Sequence, residues 1–295
     1  MSENFKVIAL VVVKNEGDII TETITSASQW ADKIIILDNN SDDDTFIKLK
    51  LLEKKYPNVI LWGRYDGKFN EGLRQILYRD FRHLANENDW WCRLDGDEFY
   101  IDNPKEYIKK LSKHTDHIYN ASFQYYYTNE NYINDKSSKV GLTTLDSLKW
   151  YKCNHSEIRF VKNKKTLCWV QGEGWPSNLL FADNKRIKLK HFQYRSLEQI
   201  KRRIQTRSTT ESGDAFKHEI VSLDEWYKRR GFSKPSDDKL MLYNIVDVSE
   251  LDSSPTYNYN DNELPRIVGF SYKKALKCTI VYIYMKTLNK LLFRI

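Results

Sequence analysis

The feature that most constrains the fold is a continuous run of apolar, mostly β-branched residues near the amino terminus, Val7–Val13 (VIALVVV). A strand covered by helices on both faces has this composition, whereas a half-exposed strand alternates apolar and polar residues. The run ends at the polar segment KNEGD, and residues 19–30 then carry apolar side chains at helical spacing. This pattern predicts the first strand and the first crossover helix of a parallel sheet.

The same alternation continues along the chain. Strands are predicted at Lys33–Leu37, Asn58–Trp62 and Trp90–Leu94, with helices beginning near Thr45 and covering Asn70–Leu84. Alternating strands and helices are typical of a mostly parallel sheet with right-handed crossovers. Because such sheets bind ligands at the carboxyl ends of their strands, we expect a site among the residues that follow each strand.

An acidic cluster, Asp95–Glu98 (DGDE), follows the fourth predicted strand. The glycine between the two aspartates lets the backbone turn sharply and approach a ligand closely. Paired carboxylates suit a hard cation that also holds phosphate oxygens, the usual arrangement for Mg²⁺ or Mn²⁺. A strand that ends in an acidic turn without a ligand is the alternative, so the interpretation depends on matches elsewhere.

Three segments, in this order, carry a resemblance to a known family: the opening strand with Lys14–Glu16 (KNE), Asp38–Thr45 (DNNSDDDT), and Asp95–Glu98. Their order and spacing resemble family 2 glycosyltransferases of the GT-A fold, which have an Asp-x-x-Ser-x-Asp-x-Thr turn and an Asp-x-Asp metal motif. Asn40 and Asp44 stand where many relatives have glycine, and both residue types suit a turn. The resemblance implies an α/β fold with a Rossmann-like, mostly parallel central sheet flanked by helices.

The resemblance also implies an activity, the transfer of a sugar from a nucleotide-sugar donor with Mn²⁺ or Mg²⁺ bridging the diphosphate. Asp97 would ligate the metal, and Asp95 would contact the donor ribose or the water shell of the metal. Asp38 would hydrogen-bond the base or ribose, the backbone around Val13 would flank the base, and Glu16 would contact the nucleotide. The alternatives are a helix cap for Asp38 and a solvated loop charge for Glu16.

Basic residues and one histidine extend the implied site. Arg74 lies where relatives often have a basic or polar residue facing the donor diphosphate, and an exposed helical arginine is the alternative. Many GT-A enzymes use a later histidine as an extra metal ligand, and His191 is the best candidate among six because a basic run begins there. On a helix starting near Ser196, Arg203 and Arg207 would share a face and could hold diphosphate or an anionic acceptor.

An inverting transferase needs a general base that deprotonates the acceptor hydroxyl. Glu173 is the preferred candidate, because it lies in a glycine-flanked loop (QGEGWP) where Trp175 could stack on a sugar. Glu157 is the second candidate, and an ion pair with Arg159 or Lys162 is its alternative role. A retaining mechanism stays open.

We divide the chain into a catalytic domain, residues 1–245, and a C-terminal helical extension, residues 246–295. Residues 269–295 contain six basic residues and no acidic one. This composition predicts contact with an anionic membrane surface, and a terminal helix packed on the domain is the alternative. Four scattered cysteines and a polar start without a signal peptide predict a cytoplasmic protein, at the cytoplasmic face of the membrane if the tail binds there.

Composition and motifs also bear on the alternative functions of the chain. The net charge is +7, but basic and acidic residues are interleaved through most of the chain and no recognition module occurs, which argues against nucleic-acid binding. We therefore expect a glycan or lipid-linked acceptor, in surface polysaccharide synthesis. A sugar nucleotidyltransferase stays open, although its usual glycine- and arginine-rich first loop is replaced by KNEGD. A catalytically inactive glycan-binding subunit also stays open.

Overall fold

The computed structural model describes residues 4–128, 131, 145–196, 198–200, 202–203 and 251–268. In this part of the chain, nine strands form one mixed sheet, and helices pack on both of its faces. Layers of helix, sheet and helix are the architecture that the alternating pattern predicts.

The amino-terminal half alternates strands and helices as predicted. Its elements are β1 (Val7–Val13), α1 (Ile20–Ala27), β2 (Lys33–Asp38), α2 (Thr45–Lys55), β3 (Val59–Arg64), α3 (Leu73–Phe81) and β4 (Trp90–Leu94). The four strands pair in parallel in the order β3-β2-β1-β4. The predicted α/β fold is confirmed. Helix α3 is shorter than predicted, because it begins after Gly72 and passes into a 3₁₀ turn at Arg82–Leu84.

Strand β1 lies between β2 and β4, and all seven of its residues are buried. Val7, Ala9 and Val11 pack in a core shared with α1 and α2, whereas Ile8 and Leu10 pack with α3 on the other face. Since both faces are covered, every position must be apolar, which explains the continuous run. Full burial of a valine or leucine side chain contributes about 1.5–3 kcal/mol.

The second half adds antiparallel strands to the sheet. Its elements are β5 (Glu98–Tyr100), α4 (Pro104–Lys109), β6 (His117–Tyr125), β7 (Tyr151–His155), β8 (Ile158–Lys162) and β9 (Ala182–His191). Beyond β4 the order continues β8-β6-β9-β5, with β7 beside β6; β6 and β9 are parallel and the remaining pairs are antiparallel. The pairing of β5 with β9 sets Glu98 opposite His191. It thereby brings the end of the acidic motif to the end of β9.

Residues 251–268 pack on the sheet away from its parallel half. The backbones of Tyr151 and Asp252 exchange two hydrogen bonds of 2.9 Å. The buried guanidinium of Arg186 donates to Asp261 Oδ1 at 2.8 Å. These contacts attach the segment to β7 and β9.

Two predictions concern the carboxy-terminal part of the chain. The boundary after residue 245 and the basic tail at residues 269–295 lie outside the described ranges. The division into two parts, the helical extension and the membrane contact therefore stay predictions. Within the described ranges, none of the helices combines the length and the apolar character that crossing a membrane requires.

Candidate functional site

A cleft of about 230 Å³ lies where β1, β2 and β4 end. The loops after these strands line it together with residues around the start of α3, His191 at the end of β9, and three residues that follow β9: Gln199, Arg202 and Arg203. This is the edge at which open α/β sheets bind ligands. Of the nine site residues predicted from the sequence, six line the cleft: Val13, Glu16, Arg74, Asp95, Asp97 and His191.

Asp97 and His191 form a close acid–imidazole pair in the cleft. Asp97 Oδ1 lies 3.2 Å from His191 Nε2, and both side chains are largely buried. Burial raises the pKa of Asp97, but the charge and hydrogen bond of His191 and the charge of Arg195 outweigh it and lower the pKa below its usual value. Burial lowers the pKa of His191, but Asp97 has the stronger effect and raises it overall. The pair is therefore charged in the absence of other ligands.

The pair also fits a divalent cation that takes further ligands from outside the protein. Two ligands at right angles, each about 2.1 Å from a cation, are about 3 Å apart, close to the 3.2 Å separation of Asp97 Oδ1 and His191 Nε2. Carboxylate and imidazole are both common ligands of such ions. The described residues contain no group of three or more His, Cys, Asp or Glu side chains that could hold a metal. Phosphate and water oxygens would have to complete the coordination.

Arginines enclose Asp95. Arg74 donates to its Oδ1, Arg159 Nη1 donates to its Oδ2 at 3.1 Å, and Arg93 Nε lies 3.8 Å from Oδ1. Burial raises the pKa of Asp95, but the charges of Arg159, Arg74 and Arg93 lower it well below its usual value. Arg159 also pairs with the fully buried Glu98. Asp95 is thus charge-compensated by the protein itself, which favours Asp97 as the carboxylate available to a metal.

Arg195 connects the first loop to Asp97. Its Nη2 lies 2.6 Å from Glu16 Oε2, its Nε 2.8 Å from Asp18 Oδ2, and its Nη1 3.6 Å from Asp97 Oδ2. Burial raises the pKa of Glu16 to about 7, although the charge of Arg195 acts in the opposite direction. Glu16 is therefore held at the cleft by an ion pair, and together with Asp18 it offsets the arginine charge beside Asp97.

Asp38, the last residue of β2, is fully buried and does not line the cleft. Its Oδ1 accepts the Ser41 hydroxyl at 2.5 Å, and its Oδ2 accepts Ser41 N at 3.1 Å and Arg64 Nε at 3.0 Å. These bonds stabilise the turn. A contact between Asp38 and the donor would have to replace one of them, and it stays a prediction.

The two candidate bases also lie outside the cleft lining. Glu157 pairs with Arg159 at 2.8 Å and with Arg93 at 3.3 Å, so the ion pair considered as its alternative role is present. Burial raises the pKa of Glu157, but Arg159, the hydrogen bond with His155 and Arg93 lower it below its usual value. Glu173 is exposed, on a loop that packs against the start of α3 at the edge of the cleft. Both assignments stay predictions.

Two arginines that organise the site, Arg93 and Arg159, were not predicted as site residues. Each is a charged residue inside an otherwise apolar strand segment, WWCRL and IRFV. Because a lone charge is costly in such a place, it indicates a buried ion pair, and this signal could have identified both. Glu71 lines the cleft 3.0 Å from Arg93, but it lies in a loop and carried no comparable signal.

The basic run after His191 contributes to the same cleft. Arg202 and Arg203 line it, and Arg202 Nη1 lies 3.2 Å from Asp43 Oδ2. Arg207 lies outside the described residues. Arginines at this end of the cleft provide the charge and the planar donors that bind phosphate oxygens.

Solved structures that are similar to this chain include a mannosyltransferase and a glucosyl-3-phosphoglycerate synthase. The mannosyltransferase PcManGT from Pyrobaculum calidifontis, in complex with GDP-Man and Mn²⁺, has 13% identity and a TM-score of 0.38, over 75% of this chain and 69% of that chain. The glucosyl-3-phosphoglycerate synthase from Mycobacterium tuberculosis, in complex with Mn²⁺, UDP and glucosyl-3-phosphoglycerate, has 14% identity and a TM-score of 0.35, over 72% of this chain and 82% of that chain.

Two curated relatives are uncharacterized glycosyltransferases from Rickettsia bellii and Rickettsia conorii, 29% identical over 119 residues and 27% identical over 116 residues. The alignments cover 40% and 39% of this chain and 34% of each relative, so the chain spans about a third of the length of these relatives. The model of Glycosyl transferase family 2 matches residues 8–173, more than half of the 295 residues. The chain therefore belongs to Glycosyl transferase family 2, and the predicted family is confirmed.

Proposed function

We propose that the protein moves a sugar from a nucleotide-sugar donor to a glycan or lipid-linked acceptor, with Mn²⁺ or Mg²⁺ and with inversion at the anomeric carbon. The observation that carries the proposal is the Asp97–His191 pair, in a cleft at the carboxyl ends of β1 and β4. A role in surface polysaccharide synthesis at the cytoplasmic face of the membrane belongs to the same proposal, and it rests on the sequence alone.

Asp97 and His191 would hold the cation, which when bound would act as a Lewis acid on the leaving diphosphate. Arg74 is buried beside the cleft, and its Nε has no hydrogen-bond partner among the described residues. Arg203 lines the cleft, and its Nε is likewise buried without a partner in the described part of the chain. Both can donate to phosphate oxygens, and such donors accelerate the reaction because negative charge grows on the leaving group in the transition state.

The acceptor hydroxyl needs a base on the other side of the reacting carbon, and we propose Glu173 for this role. Glu157 is less suited to it, because its two arginine partners hold its pKa low and make it a weak base. Glu173 is exposed at the edge of the cleft and can meet an acceptor there.

Glu173→Gln should lower the rate of transfer by about 10²–10⁴-fold, the usual contribution of a general base, and leave nucleotide binding unchanged. Transfer is measured with the donor that binds best and a panel of acceptors, and Glu157→Gln serves as the comparison. Loss of nucleotide binding in Glu173→Gln would contradict the assignment, as would a full rate of transfer in that variant.

The donor and metal are tested by thermal unfolding with UDP, GDP, dTDP and CMP, each with and without Mn²⁺. A ligand at a hundred times its Kd stabilises the native state by about 2.7 kcal/mol. We expect one nucleotide to raise the Tm only when Mn²⁺ is present, and Asp97→Asn to remove this shift. Asp42→Asn, at an exposed carboxylate in the loop after β2, is the matched control and should keep it.

The same experiment distinguishes the proposed metal-dependent transferase from a chain without the metal site and from a glycan-binding subunit. A shift with CMP or UDP that does not depend on Mn²⁺ or Asp97 would overturn the metal site. If no nucleotide shifts the Tm, the chain is better explained as a glycan-binding subunit, and glycan arrays become the next measurement.

A further inference from the structure

Helix α2 carries apolar side chains on two of its sides. On the inner side, Leu49 and Leu52 are buried in the core that α2 shares with β1 and α1. On the outer side, Ile47 and Leu51 are 63% and 60% exposed, the two highest values for a large apolar residue in the described part of the chain. The inner pair accounts for the packing of α2 on the sheet, whereas the outer pair contributes little burial to the fold.

Lysines surround the outer apolar pair. With 3.6 residues per turn, Ile47, Leu51 and Lys54 follow one another along one line of the helix surface. Lys50 and Lys55 lie on either side of this line. All five residues are exposed, and together they form the outer face of α2. The three lysines form no ion pair with any residue that the structure describes.

The acidic residues nearest to this face lie at its margins and are engaged within the fold. Glu53 is the only acidic residue of α2, and its Oε1 accepts a hydrogen bond from Leu61 N at 2.8 Å. Asp44 precedes the helix, and its Oδ2 lies 2.8 Å from Lys48 Nζ. The outer face itself therefore combines three positive charges with an exposed apolar pair and has no negative charge.

This combination fits an anionic membrane surface better than other partners. Apolar side chains enter the boundary between headgroups and acyl chains, and lysines reach the phosphates through their apolar stems. The phosphates of a nucleic acid would match the lysines but would leave Ile47 and Leu51 against a hydrated backbone. A second copy of this face would bring lysines opposite lysines, and like charges across an interface are unfavourable.

We infer that the outer face of α2 binds the surface of an anionic phospholipid bilayer, with Ile47 and Leu51 inserted and the lysines at the headgroups. The inference goes beyond the proposed function, because this contact requires neither a nucleotide nor a metal. Asp43, two residues before α2, lies 3.2 Å from Arg202, which lines the cleft. The start of α2 thus adjoins the cleft, which suits the lipid-linked acceptor of the proposed function.

Co-sedimentation of the full chain with vesicles, without nucleotide or metal, measures this contact. Vesicles of phosphatidylcholine alone are compared with vesicles of phosphatidylcholine and phosphatidylglycerol in equal amounts. We expect at least about tenfold tighter binding to the anionic vesicles. Binding to them should weaken as the salt concentration rises, because salt screens the lysine charges.

Two double variants test the charged and the apolar parts of the outer face separately. Lys50→Gln with Lys54→Gln should weaken binding to the anionic vesicles by about 25-fold, since each lysine near such a surface contributes about fivefold. It should also reduce the dependence on salt. Ile47→Gln with Leu51→Gln should weaken binding by at least about tenfold and keep the dependence on salt.

Matched double variants on other parts of the surface serve as controls. Lys165→Gln with Lys185→Gln makes the same change of charge at two exposed lysines. Val170→Gln with Val268→Gln makes the same kind of apolar-to-polar change at two exposed valines. Both controls should bind the anionic vesicles as the wild type does, and thermal unfolding shows whether each variant is folded.

Acetylation of the wild-type chain tests the same contact without a substitution, so the inference remains falsifiable even if a variant does not fold. Lysines of the outer face, Lys50, Lys54 and Lys55, should be acetylated more slowly on the anionic vesicles than in solution. Lys165 and Lys185 should keep their rates. Mass spectrometry measures the rate at each lysine.

The outcomes distinguish this inference from the proposed function. No binding, or equal binding to both kinds of vesicle, would overturn the inference and leave the transferase proposal intact. Wild-type binding by a folded variant of either outer-face pair would overturn it too, because the membrane contact would then lie elsewhere, for example in residues 269–295. Binding to an RNA or DNA duplex that depends on the lysine pair but not on the apolar pair would identify a nucleic-acid face instead. Failure to bind any nucleotide would contradict the proposed function without changing the result with vesicles.

Discussion

Replacing Arg159 by methionine should destabilise the fold far more than replacing an exposed arginine. Arg159 is 1% exposed and pairs with three carboxylates. Its Nη1 lies 3.1 Å from Asp95 Oδ2, its Nη2 lies 2.8 Å from Glu157 Oε1, and it also donates to Glu98, which is fully buried. Methionine can occupy much of the same space, so the main effect of the change is the loss of the positive charge.

Removing one partner of a buried ion pair costs about 3–5 kcal/mol, because the other charge stays buried without compensation. Burial already raises the pKa of Glu98 to about 7, and the loss of Arg159 raises it further. A carboxyl whose folded pKa lies above its unfolded value of 4.5 contributes stability below that pH and loses it as the pH rises through the folded pKa. The variant should therefore lose less stability at pH 5, where Glu98 takes up a proton, than at pH 8.

Urea unfolding at pH 5 and pH 8 measures both effects. Arg79→Met is the control, since Arg79 is 58% exposed and pairs only with its neighbour Asp80 among the described residues; its cost should stay within about 0.5 kcal/mol. Glu98→Gln combined with Arg159→Met should recover part of the loss at pH 8, because it removes the uncompensated charge. A cost below about 1 kcal/mol for Arg159→Met, or an equal cost at both pH values, would refute the reasoning.

Two further predictions concern close packing and a buried thiol. Gly72→Ala should lower the free energy of unfolding by about 1–3 kcal/mol. The added Cβ would lie 2.5 Å from the backbone of Gly172 and would push the 170–175 loop away from α3. An unchanged Tm would contradict this contact. Cys92 is fully buried, and burial raises the pKa of its thiol. Iodoacetamide should therefore modify Cys92 only after unfolding. If mass spectrometry finds Cys92 alkylated in the native protein, the prediction is wrong.

The parallel half of the fold could be predicted because its signals are local. The continuous apolar run of β1 reflects burial on two faces, and β1, β2 and β3 are each followed by a polar loop and a helix. The antiparallel part depends on pairings between distant residues, such as Trp90 with Lys162 in β4 and β8. Nothing in the local pattern of β8 specifies that partner, so the order β8-β6-β9-β5 was not predicted.

The candidate site likewise combines residues that the local sequence predicts with contacts that depend on the assembled sheet. Asp95 and Asp97 follow a strand end and could be predicted from that position. His191 was selected because a basic run begins there, whereas its contact with Asp97 depends on the register of β5 against β9. The ion pairs of Arg159 with Asp95 and Glu98 join residues that are 64 and 61 positions apart in the chain. Pairing at that range depends on the assembled sheet and has no local signature.

The two aspartates of the acidic motif therefore have different electrostatic environments, although they are two residues apart. Asp95 faces Arg74, Arg93 and Arg159, so its charge is balanced within the fold and it anchors those arginines around the cleft. Asp97 faces His191, a group that can exchange its proton for a cation, and Arg195, whose charge is already shared with the carboxylates of the first loop. We expect a cation that approaches the motif to be repelled at Asp95 and accepted at Asp97. The arginines around Asp95 instead favour the negatively charged diphosphate, so the cation and the anion of the proposed donor complex would each meet the part of the motif that carries the opposite charge.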